Sequence, residues 1–246
     1  MLSEQYIIEV GLRREKVAAF DAYPFCLDAV RHLHTLTLHP SVTFLIGENG
    51  SGKSTLLEAI AVAAGLNPEG GSRNFSFETR ASHSPLHECL RLARGIRRPR
   101  DSYFLRAESY YNVATEVERL DKIMPLLDAY GGESLHAMSH GESFMALLLH
   151  RFGGNGLYLL DEPEAALSPT RQMSMLTRMH ELVKLRSQFI IATHSPIIMA
   201  YPDAFIYALE STGIRRVAYT ETEHYQVTRN FLGNPDKMLD TLFGTA

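Results

Sequence analysis

Gly47-Glu48-Asn49-Gly50-Ser51-Gly52-Lys53-Ser54-Thr55 fits the pattern G-x-x-x-x-G-K-[ST] at every fixed position. The pattern is short but chemically demanding. Its three glycines let the backbone turn tightly and aim N–H groups inward, which makes a cradle for the phosphates of a nucleotide. Lys53 is placed to reach the outer phosphates and Ser54 to put its hydroxyl on Mg²⁺, while the helix that starts here adds the positive end of its dipole. The flanks agree with this reading. Val42-Thr43-Phe44-Leu45-Ile46 is a β-rich apolar run that ends at the first glycine, and Leu56 to Ala64 is a strong helix former that stops at Gly65. Strand, glycine loop and helix in that order predict an α/β fold with a nucleotide at the loop.

A chain of 246 residues with 45% apolar content can fill one large α/β domain or two small ones. Met1 to Gln5 lack a basic region followed by an apolar stretch, and no apolar run approaches the length of a bilayer span, so a cytoplasmic protein is expected. Cys26 and Cys89 stand far apart and form no C-x-x-C pair, which suits a reducing compartment. His83, His87 and Cys89 lie close together but lack a fourth metal ligand. The net charge of −4 does not advertise nucleic-acid binding. The charge is uneven, however: Arg91, Arg94, Arg97, Arg98, Arg100 and Arg106 form a basic run that reads either as a solvated face or as a contact for nucleic acid or an acidic partner.

Along the chain, an N-terminal strand over Tyr6–Val10 opens a β-rich part that leads to the glycine loop. Asn67 to Arg100 reads as loop-rich, with one short helix over Leu86–Ala93, and Ser102–Leu105 reads as a strand. A helix is expected from Val113 to Tyr130, broken before Pro125. Helix and strand then alternate: helix Gly141–Phe152, strand Gly156–Leu160, helix Pro169–Leu185 and strand Gln188–Thr193. Strands Ala204–Leu209 and Ile214–Tyr219 flank Ser211-Thr212-Gly213 and suggest a hairpin. The alternation predicts a mostly parallel central sheet with crossover helices. Neither an internal repeat nor a heptad array is present.

Three further motifs carry chemistry. Leu157-Tyr158-Leu159-Leu160-Asp161-Glu162 is an apolar strand ending in two carboxylates, the first suited to holding Mg²⁺ and the second to deprotonating an attacking water. His194, in Thr193-His194-Ser195, ends the next buried strand, where its donor can reach a γ-phosphate. Ser139-His140-Gly141-Glu142 has the form of a capping box at the start of a helix, and the same helix end can serve as a second anion site.

The order of these motifs resembles the ABC-type P-loop ATPases. Walker A is Gly47–Thr55, Met138-Ser139-His140-Gly141-Glu142 stands at the signature, Walker B is Leu157–Glu162, Ala165-Ala166-Leu167-Ser168 stands at the D-loop, and His194 stands at the switch. The likeness spans about Tyr6 to Tyr219 and looks closest to stand-alone heads of the RecF and structural-maintenance-of-chromosomes branch, which often carry D-E-P-E, here Asp161-Glu162-Pro163-Glu164. The resemblance implies one domain over residues 1–246, with a helical and loop insertion over about 67–135. It also implies a homodimer with two ATP molecules sandwiched between Walker A of one subunit and the signature of the other, so that Ser139 and Gly141 serve the partner's ATP.

In this reading Gly47, Glu48, Asn49, Gly50, Ser51, Gly52, Lys53, Ser54 and Thr55 hold ATP, while Ser54 and Asp161 hold Mg²⁺. Glu162 is the base and His194 the γ-phosphate sensor. The signature and D-loop depart from the usual L-S-G-G-Q and Asp, and Ser168 before Pro169 also makes a helix cap. No glutamine marks the Mg²⁺-sensing position, so Glu108 is the substitute candidate. Tyr23 or Phe25 is the candidate for stacking on adenine. ATP is expected over GTP because no N-K-x-D motif occurs. The cycle would act either on DNA, as in repair-type ATPases, or as the ATP-switched subunit of a transporter, defence or toxin complex whose effector is a separate polypeptide.

Overall fold

The computed structural model describes residues 5–72, 84–106, 115, 117–119, 121, 127–130, 132, 134 and 136–244. Strand β1 (Ile7–Leu12), the short helix α1 (Asp28–Arg31), β2 (Thr35–Thr37) and β3 (Val42–Ile46) lead into helix α2 (Lys53–Ala64). Next come β4 (Gly71–Ser72), the one-turn helix α3 (Leu86–Cys89), β5 (Leu90–Arg94) and β6 (Asp101–Arg106). Helix α4 (His140–Ala146) passes into a π-turn over Leu147–Arg151 and is followed by β7 (Gly156–Asp161), α5 (Pro169–Lys184) and β8 (Gln188–Ala192). The hairpin of β9 (Phe205–Glu210) and β10 (Gly213–Val217) precedes two helices, α6 (Glu223–Gly233) and α7 (Pro235–Phe243).

Seven strands form the large sheet in the order β10-β9-β3-β8-β7-β6-β4. The inner five are mutually parallel, and β10 and β4 close the two edges antiparallel. Both faces of this sheet are covered, so its inner strands are apolar on both sides and period-two alternation decides which core each residue joins. Phe44, Tyr158, Leu160, Phe189 and Ile191 pack on one side with Phe144 of α4 and Met175, Met179 and Leu182 of α5. Leu45, Leu157, Leu159, Ile190 and Ala192 pack on the other with Leu56, Leu57 and Ile60 of α2. That second core also takes in Val10, Leu36 and Leu90 from an antiparallel three-stranded sheet, β2-β1-β5.

One buried amide ties the two sheets together. Gln188, 1% exposed at the start of β8, accepts the N–H groups of Tyr6 and Ile7 on its Oε1 at 3.1 and 3.0 Å. Its Nε2 donates to the carbonyls of Ile7 and His39 at 2.8 and 3.0 Å. These four bonds use the full capacity of a side-chain amide.

The α/β class, the mostly parallel sheet, the β-rich entry and the closing hairpin agree with the sequence reading. Three details differ. The helix expected over Leu86–Ala93 stops at Cys89, and the next five residues form β5, with Leu90, Arg91 and Leu92 opposite Leu12, Gly11 and Val10. The unpaired edge of β1 offers that segment a ladder of backbone hydrogen bonds, and tertiary pairing overrides local propensity. In place of a plain helix to Phe152, α4 turns π-helical after Ala146. Of the helix expected over Val113–Tyr130, residues 115, 117–119 and 121 are helical and Leu127–Tyr130 is a 3₁₀ turn; the rest lies outside the described residues, as does much of the span 67–135.

Gln188→Leu removes the shared acceptor of two buried donors, at about 1–3 kcal/mol for each. Urea denaturation is expected to show that loss, while nucleotide affinity stays unchanged because Gln188 sits at the strand end opposite the glycine loop.

Candidate functional site

Parallel strands in register end at one edge, and that edge builds the site. Leu45 of β3 and Asp161 of β7 both stand level with Ala192 of the strand between them, β8. The ladder runs one step further: Glu162 N–H donates to the Ala192 carbonyl at 2.9 Å, and Thr193 N–H donates to the Leu45 carbonyl at 3.2 Å. The chain then leaves all three strands side by side. Gly47, Glu162 and His194 therefore meet because of sheet order, although more than one hundred residues separate the first two in sequence.

The loop itself is tightly backed. Gly47 has φ 147°, and a Cβ there would lie 2.6 Å from the Leu209 carbonyl oxygen of β9, so the position excludes a side chain on two grounds. Lys53, the first residue of α2 and 3% exposed, bends its Nζ back to donate to the carbonyls of Gly47 and Glu48, both at 2.9 Å. Burial lowers its pKa, opposed by the nearby carboxylates of Glu162, Asp161 and Glu164. Ser54 Oγ donates to Asp161 Oδ1 at 2.9 Å and links the loop to the end of β7.

Two hollows flank the loop. A cleft of about 770 Å³ lies against the β9–β10 turn and the start of α6, and a smaller one of about 220 Å³ is lined by Tyr23, Lys53, Ser54, Thr55 and Glu162. Lys53, Ser54 and Glu162 all line the smaller one, so size is a poor guide to the chemistry. Tyr23, 64% exposed, is bonded through its hydroxyl to Thr55 Oγ1 at 3.1 Å, whereas Phe25 packs against the core. Of the two aromatics considered, Tyr23 is the one that borders the cleft.

Glu162 leaves the strand with φ 48° and ψ 52°, a left-handed conformation that a non-glycine residue adopts at a cost of about 1–3 kcal/mol. Its Oε1 stands 3.5 Å from His194 Nε2. His194 is held on two further sides: its backbone N–H donates to Glu164 Oε1, and its Nδ1 lies 3.1 Å from Nε2 of His224 at the start of α6. Burial raises the pKa of Glu164. Burial, together with Lys53, lowers that of His194.

Ser139 and Gly141 lie elsewhere. Ser139 caps α4 in a reciprocal capping box: Glu142 N–H donates to Ser139 Oγ at 3.3 Å, and Glu142 Oε2 accepts from Ser139 N–H at 3.0 Å and Oγ at 2.7 Å. The serine is exposed and does not line the cleft that holds Lys53. Gly141 is buried instead, and a Cβ there would come within 2.6 Å of the Ala166 carbonyl oxygen and 2.5 Å of Arg171 Nη1. Ser168 caps α5 by accepting Arg171 N–H at 3.4 Å, with Pro169 as the first helical residue.

Two family models match this chain. One, an AAA domain, covers residues 24–95; the other, an AAA domain whose description names the AbiEii toxin and type IV toxin–antitoxin systems, covers residues 83–200. The chain carries a P-loop ATPase domain of the AAA/ABC type. A curated relative, the ABC transporter G family member STR2 of Medicago truncatula, is 27% identical over 181 residues and covers 63% of the chain. The chain spans 24% of that relative's length. Among solved structures, the SMC head domain from Thermotoga maritima gives a TM-score of 0.47 with 16% identity, covering 87% of this chain and 100% of its own. The cbiO1 protein of Clostridium perfringens, part of the ABC transporter complex cbiONQ, gives 0.48 and 18%, covering 98% and 99%.

Within this ATPase domain, the sequence reading missed His224, which stands outside every motif and far along the chain. Glu164 was visible only as the last letter of D-E-P-E. Glu108, the candidate Mg²⁺ sensor, lies outside the described residues, as does His83. Among the described residues no group of three His, Cys, Asp or Glu side chains gathers to hold a metal. The basic run is partly engaged: Arg91 pairs with Glu9 at 3.1 Å, Arg94 donates to the Ala63 carbonyl at 2.8 Å, and Arg106 pairs with Glu58. No helix among the described residues is long and apolar enough to cross a membrane.

Gly141→Ala drives a Cβ into the Ala166 backbone, and overpacking of this kind costs about 1–3 kcal/mol. Thermal melts are expected to show the loss, and Gly141→Ser should cost more than Gly141→Ala.

Proposed function

We propose that this domain binds ATP with Mg²⁺, hydrolyses it, and does so as a homodimer with each ATP held between two chains. The observation that carries the proposal is a division of the predicted groups. Lys53, Ser54 and Glu162 line one cleft, Asp161 and His194 stand behind it against Ser54 and Glu162, and Ser139 is exposed outside it. A second chain is then the natural source of the signature serine.

Ser54 Oγ and Asp161 Oδ1 are hard oxygen donors 2.9 Å apart, which fits a small hard cation that takes its other ligands from phosphate and water. Mg²⁺ bound there would neutralise charge on the β- and γ-phosphates. Lys53 gives up its two carbonyl acceptors for phosphate oxygens, a stronger partner for an ammonium. The left-handed turn at Glu162 brings its carboxylate to the cleft, where it takes the proton of the water that attacks the γ-phosphorus as the bond to the ADP oxygen breaks. His194 Nε2 donates to the same phosphate. Tyr23 stacks on the adenine.

A second observation favours the reading of an ATP-switched subunit with its effector on another chain. Val227, Leu232, Leu242 and Phe243 on α6 and α7 are each more than half exposed, and α6 begins beside His194. The DNA-associated reading rests on the exposure of Arg97, Arg98 and Arg100 in the basic run.

Glu162→Gln is expected to keep ATP binding and to slow hydrolysis by about 10²- to 10⁴-fold, the range for loss of a general base. Binding by equilibrium dialysis and phosphate release measured side by side would check it; an unchanged rate would point to Glu164 instead.

Lys53→Ala and Ser139→Arg are each expected to be inactive alone. Mixed, they leave one composite site intact in each heterodimer, so phosphate release should return to about one quarter of the wild-type rate for statistical pairing. A mixture that stays inactive beside a wild type that is fully active as a monomer would refute the sandwich.

A further inference from the structure

We infer that His224 is a positioning residue: it fixes His194 as the tautomer with its proton on Nε2, and so makes the nucleotide-facing nitrogen a hydrogen-bond donor. The inference rests on the proposal that His194 reads the γ-phosphate. It concerns a residue outside the family motifs, on a helix that follows the large sheet.

The placement of His224 is built rather than incidental. Thr222 caps α6; it is 2% exposed, accepts Tyr225 N–H at 3.3 Å on its hydroxyl and donates to the Tyr219 carbonyl at 2.8 Å. Tyr219 in turn donates its phenol to the Pro196 carbonyl at 2.9 Å, two residues after His194. The start of α6 is thereby fastened to the switch loop at a second point, and the imidazole of its second residue is delivered to His194 with Nε2 to Nδ1 at 3.1 Å.

Two neutral imidazoles joined in this way hold one proton between the facing nitrogens. Either His224 donates and His194 carries its own proton on Nε2, or His194 donates and its Nε2 is bare. The surroundings choose the first arrangement. His194 Nε2 faces the Glu162 carboxylate at 3.5 Å, which attracts an N–H and repels a lone pair. His194 Nε2 and His224 Nδ1 are both buried without a hydrogen-bond partner, and of the two only His194 Nε2 has a carboxylate oxygen 3.5 Å away, so an N–H costs less there than on His224 Nδ1. Burial lowers the pKa of both rings, so both are neutral at about pH 8.

The test uses the full chain at about pH 8 and replaces His224 with three residues. Glu at this position can only accept, so it demands the proton of His194 on Nδ1; Gln can still donate; Ala does neither. An acidic residue in the first turn of a helix suits its dipole, so His224→Glu should fold. Long-range proton–nitrogen NMR is expected to show His194 protonated on Nε2 in the wild type and in His224→Gln, mixed in His224→Ala and protonated on Nδ1 in His224→Glu.

In turnover, His224→Glu should lower kcat by about 10- to 100-fold, the range seen when a group orienting a histidine is lost at metal sites. KM for ATP should stay within about twofold because Lys53 and the loop still hold the phosphates. His224→Gln should recover most of that loss. A wild type with Nδ1 of His194 protonated, or a His194 tautomer unmoved by His224→Glu, overturns the inference whether or not the domain hydrolyses ATP. The expected tautomers with kcat unmoved by His224→Glu overturn only its link to turnover.

Discussion

The parallel register of β3, β8 and β7 is the constraint on which the rest of this molecule depends. With Leu45, Ala192 and Asp161 level across the sheet, three chains must turn away from the sheet at one edge, and the loops that follow carry the glycine loop, the carboxylate pair and His194. A strand shifted by one residue would exchange its two faces, sending Leu160 and Ile191 into the wrong core. Core packing therefore holds the site in alignment. Helix α2 adds a further consequence, since the packing of Leu56, Leu57 and Ile60 under the sheet fixes where its first residue, Lys53, can stand.

Around that lysine the electrostatics are dense. One buried ammonium faces Asp161, Glu162 and Glu164, which offset its desolvation without forming a close ion pair, because Nζ is spent on two loop carbonyls. The three acids are differently placed. Asp161 is bonded to Ser54, half-buried Glu164 accepts the His194 N–H, and Glu162 stands 39% exposed on a left-handed turn. Environment, rather than residue type, gives neighbouring carboxylates separate tasks.

The half of the domain that presents Ser139 is held by different contacts. Gly141 lets α4 approach the Ala166 carbonyl to a distance that no side chain permits, and Arg171 joins Glu142 at 3.3 Å across the same contact. The capping box then fixes the exposed serine without any contribution from the cleft that holds Lys53.

The sequence by itself determined the strand, loop and helix of the phosphate cradle, the carboxylate pair at the end of β7, the capped α4 and the alternation that makes the sheet parallel. These are local patterns, legible because each depends on the order of side chains within about ten residues. Tertiary structure alone decided the rest. That Leu90–Arg94 is a strand depends on the free edge of β1; that Tyr23 rather than Phe25 borders the cleft depends on which ring the second core absorbs; and that His224 touches His194 depends on a cap and a phenol 23 residues from the loop they secure. Contacts between distant segments leave no periodic trace in the chain, because their energy comes from burial and hydrogen bonding that exist only once the sheet has formed.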